Sequence, residues 1–153
     1  MTFPGFKSSL FLKAVSLLRH GRFSPDGKWV AYSSNESGKW EIYVTSFPDA
    51  RGKWQISTAG GEQPRWRGDG KELFFLSSDS KMMAAPITTV PNFDAGSPVG
   101  LFQTTPRQLV SRNDQFVYDV SRDGQRFVVL TQVKRGETAP ISVVLNWTAM
   151  LNK

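Results

Sequence analysis

Arg22-Phe23-Ser24-Pro25-Asp26-Gly27-Lys28-Trp29-Val30-Ala31-Tyr32-Ser33-Ser34 reads as strand, tight turn and strand. Pro25 presets φ for the first central turn position, Asp26 tolerates the second, and Gly27 supplies the positive φ that a type I turn with a following bulge requires. Beyond the turn, Trp29, Ala31 and Ser33 alternate with Val30, Tyr32 and Ser34, a pattern that suits a strand.

The same plan recurs at Trp66-Arg67-Gly68-Asp69-Gly70-Lys71-Glu72-Leu73-Phe74-Phe75 and at Val120-Ser121-Arg122-Asp123-Gly124-Gln125-Arg126-Phe127-Val128-Val129. The Asp-Gly pairs stand at 26–27, 69–70 and 123–124, offsets of 43 and 54 residues. A repeat of about 40–50 residues holding several short strands is the signature of a β-propeller blade. The longer second offset predicts an insertion near 88–98. The predicted fold is all-β, a partial propeller of three four-stranded antiparallel blades at about 20–60, 61–105 and 106–147, followed by a short tail.

Within the first blade the strands are predicted at about 20–24, 28–34, 40–46 and 53–57. In the second they fall at 63–67, 71–77, 81–87 and 99–103, with Thr88 to Pro98 as loop because it holds prolines, a glycine and an asparagine. In the third they fall at 115–121, 125–131 and 141–146, with a loop at Arg135-Gly136-Glu137 and no fourth strand downstream. Residues 1–19 admit two readings. Leu10, Ala14, Leu17 and Leu18 recur at helical spacing between a serine cap and Gly21. Ser8 to Lys13 reads alternatively as a strand.

Composition narrows the function. The 153 residues carry a net charge of +6, but lysine and arginine are scattered near turns with no run of five, so a solvated basic surface is favoured over a nucleic-acid footprint. No cysteine is present, which excludes disulfides, thiol catalysis and cysteine-based zinc sites. No apolar run is long enough to span a membrane, and Lys13 interrupts the only stretch resembling a leader, so no signal peptide is read.

Catalysis finds little support. His20 is the sole histidine, no Gly-x-Ser-x-Gly elbow accompanies it, and a structural role is favoured. Each Asp-Gly turn brings a single carboxylate, so Asp26, Asp69 and Asp123 read as turn-capping groups that bond turn amides, not calcium ligands. No cofactor and no metal are expected. Trp29, Trp40, Trp54 and Trp66 read as inter-blade core. Arg65 and Arg67 flank Trp66 on an innermost strand, and Arg22 holds the matching place in the first repeat. With Asp119 as a pairing carboxylate, these residues are the candidate partner-binding set at the channel mouth.

At these residues the chain resembles the TolB-like propeller repeat, a relative of the WD-type repeat. The motifs are Phe23 to Tyr32 with its copies at 66–75 and 120–129, Ser34-Asn35-Glu36-Ser37-Gly38 before Glu41-Ile42-Tyr43-Val44, Gln63 to Arg67, and Val144-Leu145-Asn146-Trp147. Together they look like the last blades of propellers fused behind bacterial serine/threonine kinase domains, or found in related TolB-like proteins. Gly68 and Arg122 replace the turn proline in the later copies. No kinase motif is present in the chain, so that activity is not carried over. The resemblance implies a periplasmic or other extracytoplasmic placement.

The resemblance also implies a ring of six or more blades, whereas three cannot close and would leave the outer faces of blades one and three in water. Either the chain is part of a longer propeller, or two chains pair into a six-bladed homodimer in which each N-terminal strand completes the partner's third blade. The expected function is a non-catalytic module that binds a protein or peptide, without nucleic acid and without a membrane span. The second reading is an accessory propeller that gates or selects substrates for a separate hydrolase domain.

Overall fold

The computed structural model describes residues 8–106, 115–131 and 141–145, and the fold is all-β among them. Strands β1 (Leu18–Phe23), β2 (Trp29–Ser34), β3 (Glu41–Ser46) and β4 (Trp54–Gln55) form the first antiparallel sheet in that order. The second sheet runs β5 (Glu62–Trp66), β6 (Glu72–Leu76), β7 (Lys81–Thr88), with β8 (Asp94–Ala95) and β9 (Val99–Gln103) both paired to β7. The third comprises β10 (Tyr118–Val120), β11 (Arg126–Leu130) and β12 (Ile141–Leu145). Three sheets in sequence order, each with its first strand innermost, make a partial β-propeller.

The Glu72–Leu76 strand explains why the sheets stack. Leu73 and Phe75 point to one side and Phe74 and Leu76 to the other, as the two-residue period of a strand requires. All four are buried, because both faces of this sheet are covered. Leu73, Phe75, Ala85 and Ile87 meet Ala31, Ile42, Val44 and Ile56 of the first blade. Phe74, Leu76, Met82 and Ala84 meet Tyr118, Phe127 and Val129 of the third. Each such side chain contributes roughly 1.5–3 kcal/mol of burial, so one blade's apolar run glues two interfaces.

The three Asp-Gly turns share one geometry. Gly27, Gly70 and Gly124 adopt φ of 71°, 73° and 73°. Their N–H groups donate to the carbonyls of Ser24, Arg67 and Ser121. Asp26, Asp69 and Asp123 accept the amides of Lys28, Lys71 and Gln125 at 3.0–3.1 Å. The carboxylates therefore cap the turns. Gly68, which replaces the proline, has a packing reason: its N–H donates to the Arg122 carbonyl at 2.9 Å, and a Cβ there would lie 2.6 Å from that oxygen. Loss of the turn proline lets blade three dock on blade two.

Three expectations need correction. Residues 8–17 form no helix. Leu17 instead donates to Asn35 Oδ1 and accepts from the Asn35 amide, and Leu10, Val15 and Leu17 are exposed, so the helical spacing faces no core. The strand reading of 8–13 places its ladder partner in a second chain, and within this chain no strand among the described residues pairs with it. The Thr88–Pro98 segment is not wholly loop: it contains β8, and Phe93 is buried against Trp29 and Trp54 at 4.8 and 4.7 Å. Trp29, Trp54 and Trp66 pack on the core between blades one and two, whereas Trp40 lies beneath the Arg19 guanidinium at 3.7 Å. The loop at 135–137 and the tail lie outside the described residues.

The outer faces of blades one and three differ. Val30, Tyr32, Tyr43 and Thr45 share the outward face of blade one and are buried. Phe11 and Phe23 both pack on Phe47 at its margin. On blade three, Val128 opposes Val143 across the β11–β12 ladder, and these two stand 39% and 53% exposed.

Candidate functional site

The innermost strands of blades one and two each carry a bulge. Pairing of β1 with β2 slips between Arg19 and Arg22, and pairing of β5 with β6 slips between Glu62 and Arg65. Within the bulges His20 and Gln63 sit at φ of 59° and 60°. Non-glycine residues seldom adopt this left-handed region, and bulges of this kind re-aim the side chains that follow. The bulges are offset by 43 residues, the repeat spacing, and the residues that follow them, Arg22 and Arg65, are equivalent.

A buried polar web holds the bulges. Gln63 Oε1 accepts the Val117 amide at 2.8 Å, and the Gln63 carbonyl accepts the Tyr118 hydroxyl at 2.7 Å. The Gln63 amide donates to Ser33 Oγ at 3.3 Å, and that oxygen lies 3.4 Å from His20 Nδ1. One fully buried glutamine thus ties three blades together. Arg19 of blade one pairs with the buried Glu62 of blade two. Burial pushes the Tyr118 phenol well above its ordinary pKa, which keeps it a donor.

The web delivers Arg22 and Arg65 to the same ring. Their guanidinium carbons lie 4.1 and 4.2 Å from the centroid of Phe116. His20 meets that ring edge-on at 5.1 Å. Asp119, the equivalent of Arg65 in blade three, approaches Arg65 at 3.5 Å and is 67% exposed. Among the described residues Arg22 makes no ion pair. Burial first, and then the neighbouring Arg65, lower the pKa of Arg22. Among the described residues, two half-buried cations therefore share an aromatic platform with a single, largely solvated carboxylate.

Arg67 lies elsewhere. It sits in the β5–β6 turn, 3.1 Å from Glu72 and 3.5 Å from Asp69. Its side chain packs against Gly124 of blade three. Of the four residues singled out from sequence, the structure brings Arg22, Arg65 and Asp119 together around Phe116 and leaves Arg67 in a structural turn. Phe116 escaped the sequence reading because its place in the repeat holds Arg19 and Glu62 in the other blades. The equivalence of Arg22, Arg65 and Asp119 under the 43- and 54-residue offsets was the legible signal.

A cleft of about 580 Å³ opens between the β1–β2 and β5–β6 turns, lined in part by Trp29, Trp66, Lys71, Val90 and Arg122. Its acids, Asp26 and Asp69, already cap turns, and its charges of opposite sign offset one another.

No family model and no curated protein matches the chain. Solved structures resemble it in fold. TolB from Acinetobacter baumannii superposes with a TM-score of 0.57 at 22% identity, over 82% of this chain and 29% of that one. An oligogalacturonate lyase from Vibrio parahaemolyticus gives 0.57 at 12% identity, over 78% and 31%. A 6-phosphogluconolactonase, titled putative, from Bacteroides uniformis gives 0.51 at 19% identity, over 89% and 43%. The chain spans less than half the length of each. At these identities the likeness is one of fold: this chain has a TolB-like propeller fold.

Proposed function

We propose that the chain is a non-catalytic propeller module that docks a protein or peptide partner on its inner-strand surface. The observation that carries this reading is the convergence of Arg22 and Arg65, from equivalent positions of consecutive blades, on Phe116 beside Asp119. Partly desolvated arginines and aromatics are the residues that dominate the energetics of protein interfaces. His20 does lie 3.4 Å from the Ser33 hydroxyl, but both side chains are buried and Ser33 Oγ also accepts the Gln63 amide, which argues for a structural role for this pair and against a catalytic one. The sequence resemblance to blades behind bacterial kinase domains supports a sensor outside the cytoplasm as the setting of this module.

The test is selection from a displayed random-peptide library by the wild-type chain and by the Arg22→Ala/Arg65→Ala double variant. Peptides enriched by the wild type and lost with the variant are expected. Absence of enrichment, or enrichment unchanged by the variant, would overturn the reading.

A further inference from the structure

The geometry points to a carboxylate receptor: the Arg22–Phe116–Arg65 shelf takes an acidic side chain of a bound peptide. This inference rests on reading the shelf as a docking surface and names what docks there.

Three observations carry it. First, the charge is unbalanced. Two guanidinium groups share one ring, and among the described residues the only ion pair to either is that of Arg65 with Asp119, at 3.5 Å to a residue mostly in water, whose charge also acts on Arg22 from beyond ion-pair distance. Juxtaposed like charges repel, so an incoming anion relieves a cost already present in the empty site. Second, the donors are preorganised. The guanidinium carbons of Arg22 and Arg65 are held 4.1 and 4.2 Å over the Phe116 centroid; their Nε atoms are buried and out of a ligand's reach, so the partial exposure of both side chains leaves the terminal N–H groups as the donors. Stacking fixes the fork while leaving edge N–H groups to grip a carboxylate, the geometry that makes arginine the choice for planar anions. Third, Asp119 is a built-in competitor. It offers the same chemical group as the ligand, from the blade-three position equivalent to Arg65, and its exposure lets it swing into solvent when a ligand arrives.

The arrangement selects charge, so a neutral isostere must lose most of the affinity. Burial of the buttressing web through Gln63, Ser33 and Tyr118 keeps the arginines in place without a ligand. Binding therefore needs little reordering of the protein, which limits its entropic cost.

The test uses the full chain and three end-blocked peptides of the same length, rich in glutamate, glutamine or phosphoserine, titrated by calorimetry. The glutamate peptide should bind, with the glutamine peptide weaker by on the order of tenfold or more. Arg22→Gln should weaken the glutamate peptide by a similar factor. Asp119→Asn should tighten it by about threefold, since a competitor worth a fraction of a kcal/mol is removed. That gain is the decisive sign, because a misfolded variant could only lose affinity. Equal binding of glutamate and glutamine peptides, or weaker binding by Asp119→Asn, overturns the inference. A marked preference for phosphoserine over glutamate overturns it in favour of a phosphate receptor. If the glutamate peptide fails while library-selected neutral peptides still bind through the shelf, the docking surface stands and the carboxylate assignment falls. If no peptide binds, both fall.

Discussion

At the scale of single residues, the turn serines and aspartates govern local stability. Ser24 Oγ donates to Asp26 at 2.6 Å and accepts the Trp29 amide at 3.0 Å, although it is nearly inaccessible. Ser24→Ala removes both bonds and should cost about 1–2 kcal/mol in urea unfolding. Asp26, Asp79 and Asp123 have carboxyl pKa values below the ordinary 3.8, in each case first because a serine hydroxyl (Ser24, Ser77 or Ser121) donates to the charged form. Their stabilisation is fully present above the unfolded-state value and is lost as pH falls through the lower folded-state value. The urea midpoint should therefore drop as pH is taken from about 5 towards 3, and Ser24→Ala should flatten that decline. Ser80 closes the β6–β7 turn at φ 65° after the same serine–aspartate pairing, in a place where the other turns use glycine. Ser80→Gly relieves the left-handed strain and should raise stability by about 0.5 kcal/mol, read from the same urea curves. That hairpin was legible as a break between strands, but its kinship with the Asp-Gly turns was hidden by the missing glycine.

At the scale of elements, the seams between blades hang on a few positions. Gly68→Ala would drive a methyl group into the Arg122 carbonyl and side chain. Backbone cannot yield as a flexible side-chain tip can, so a loss of about 1–3 kcal/mol is expected, visible as a lower melting temperature. Phe93 plugs the space between Trp29 and Trp54 from the segment that follows β7. Phe93→Ala should cost about 3 kcal/mol, more than a loop residue ordinarily would; a change under 0.5 kcal/mol would contradict that role. Strand alternation in the sequence identified β2 and β3, whereas the repeat of the Asp-Gly turns placed β6, β7 and β11, of which β6 is a continuous apolar run from Leu73 to Leu76. It could not identify β8, a two-residue pairing whose backbone partner is supplied by the bend of the chain. The bulges at His20 and Gln63 were equally illegible, because glutamine gives no sign of a positive φ and histidine, though enriched there, still adopts it only rarely.

At the scale of the whole molecule, the array is closed on one side and open on the other. The outer face of blade three shows Val128, Leu130, Val143 and Leu145 in a row, and β12 has no further strand beside it among the described residues. Such a face favours association. Light scattering should give a mass above 17.1 kDa that rises with concentration or settles at twice that value, and Val128→Lys/Val143→Lys should return it to 17.1 kDa. Over the reading of the chain as part of a longer propeller, a stable value of twice the chain mass would favour the one in which two copies close a six-bladed ring. A monodisperse 17.1 kDa wild-type chain would sink it.

The sequence by itself determined the repeat, the three Asp-Gly turns, the all-β class and the equivalence of Arg22, Arg65 and Asp119. These are local properties: φ preferences, two-residue alternation and a fixed spacing, each written in neighbouring residues. Only the tertiary structure decided that Phe116 is the platform on which two arginines meet, that Gln63 binds three blades, and that Arg67 belongs to a turn. Those facts depend on which residues of different blades come within a few ångströms, and that is set by bulges and by the stacking of sheets whose contacts lie 43 to 55 residues apart in the chain.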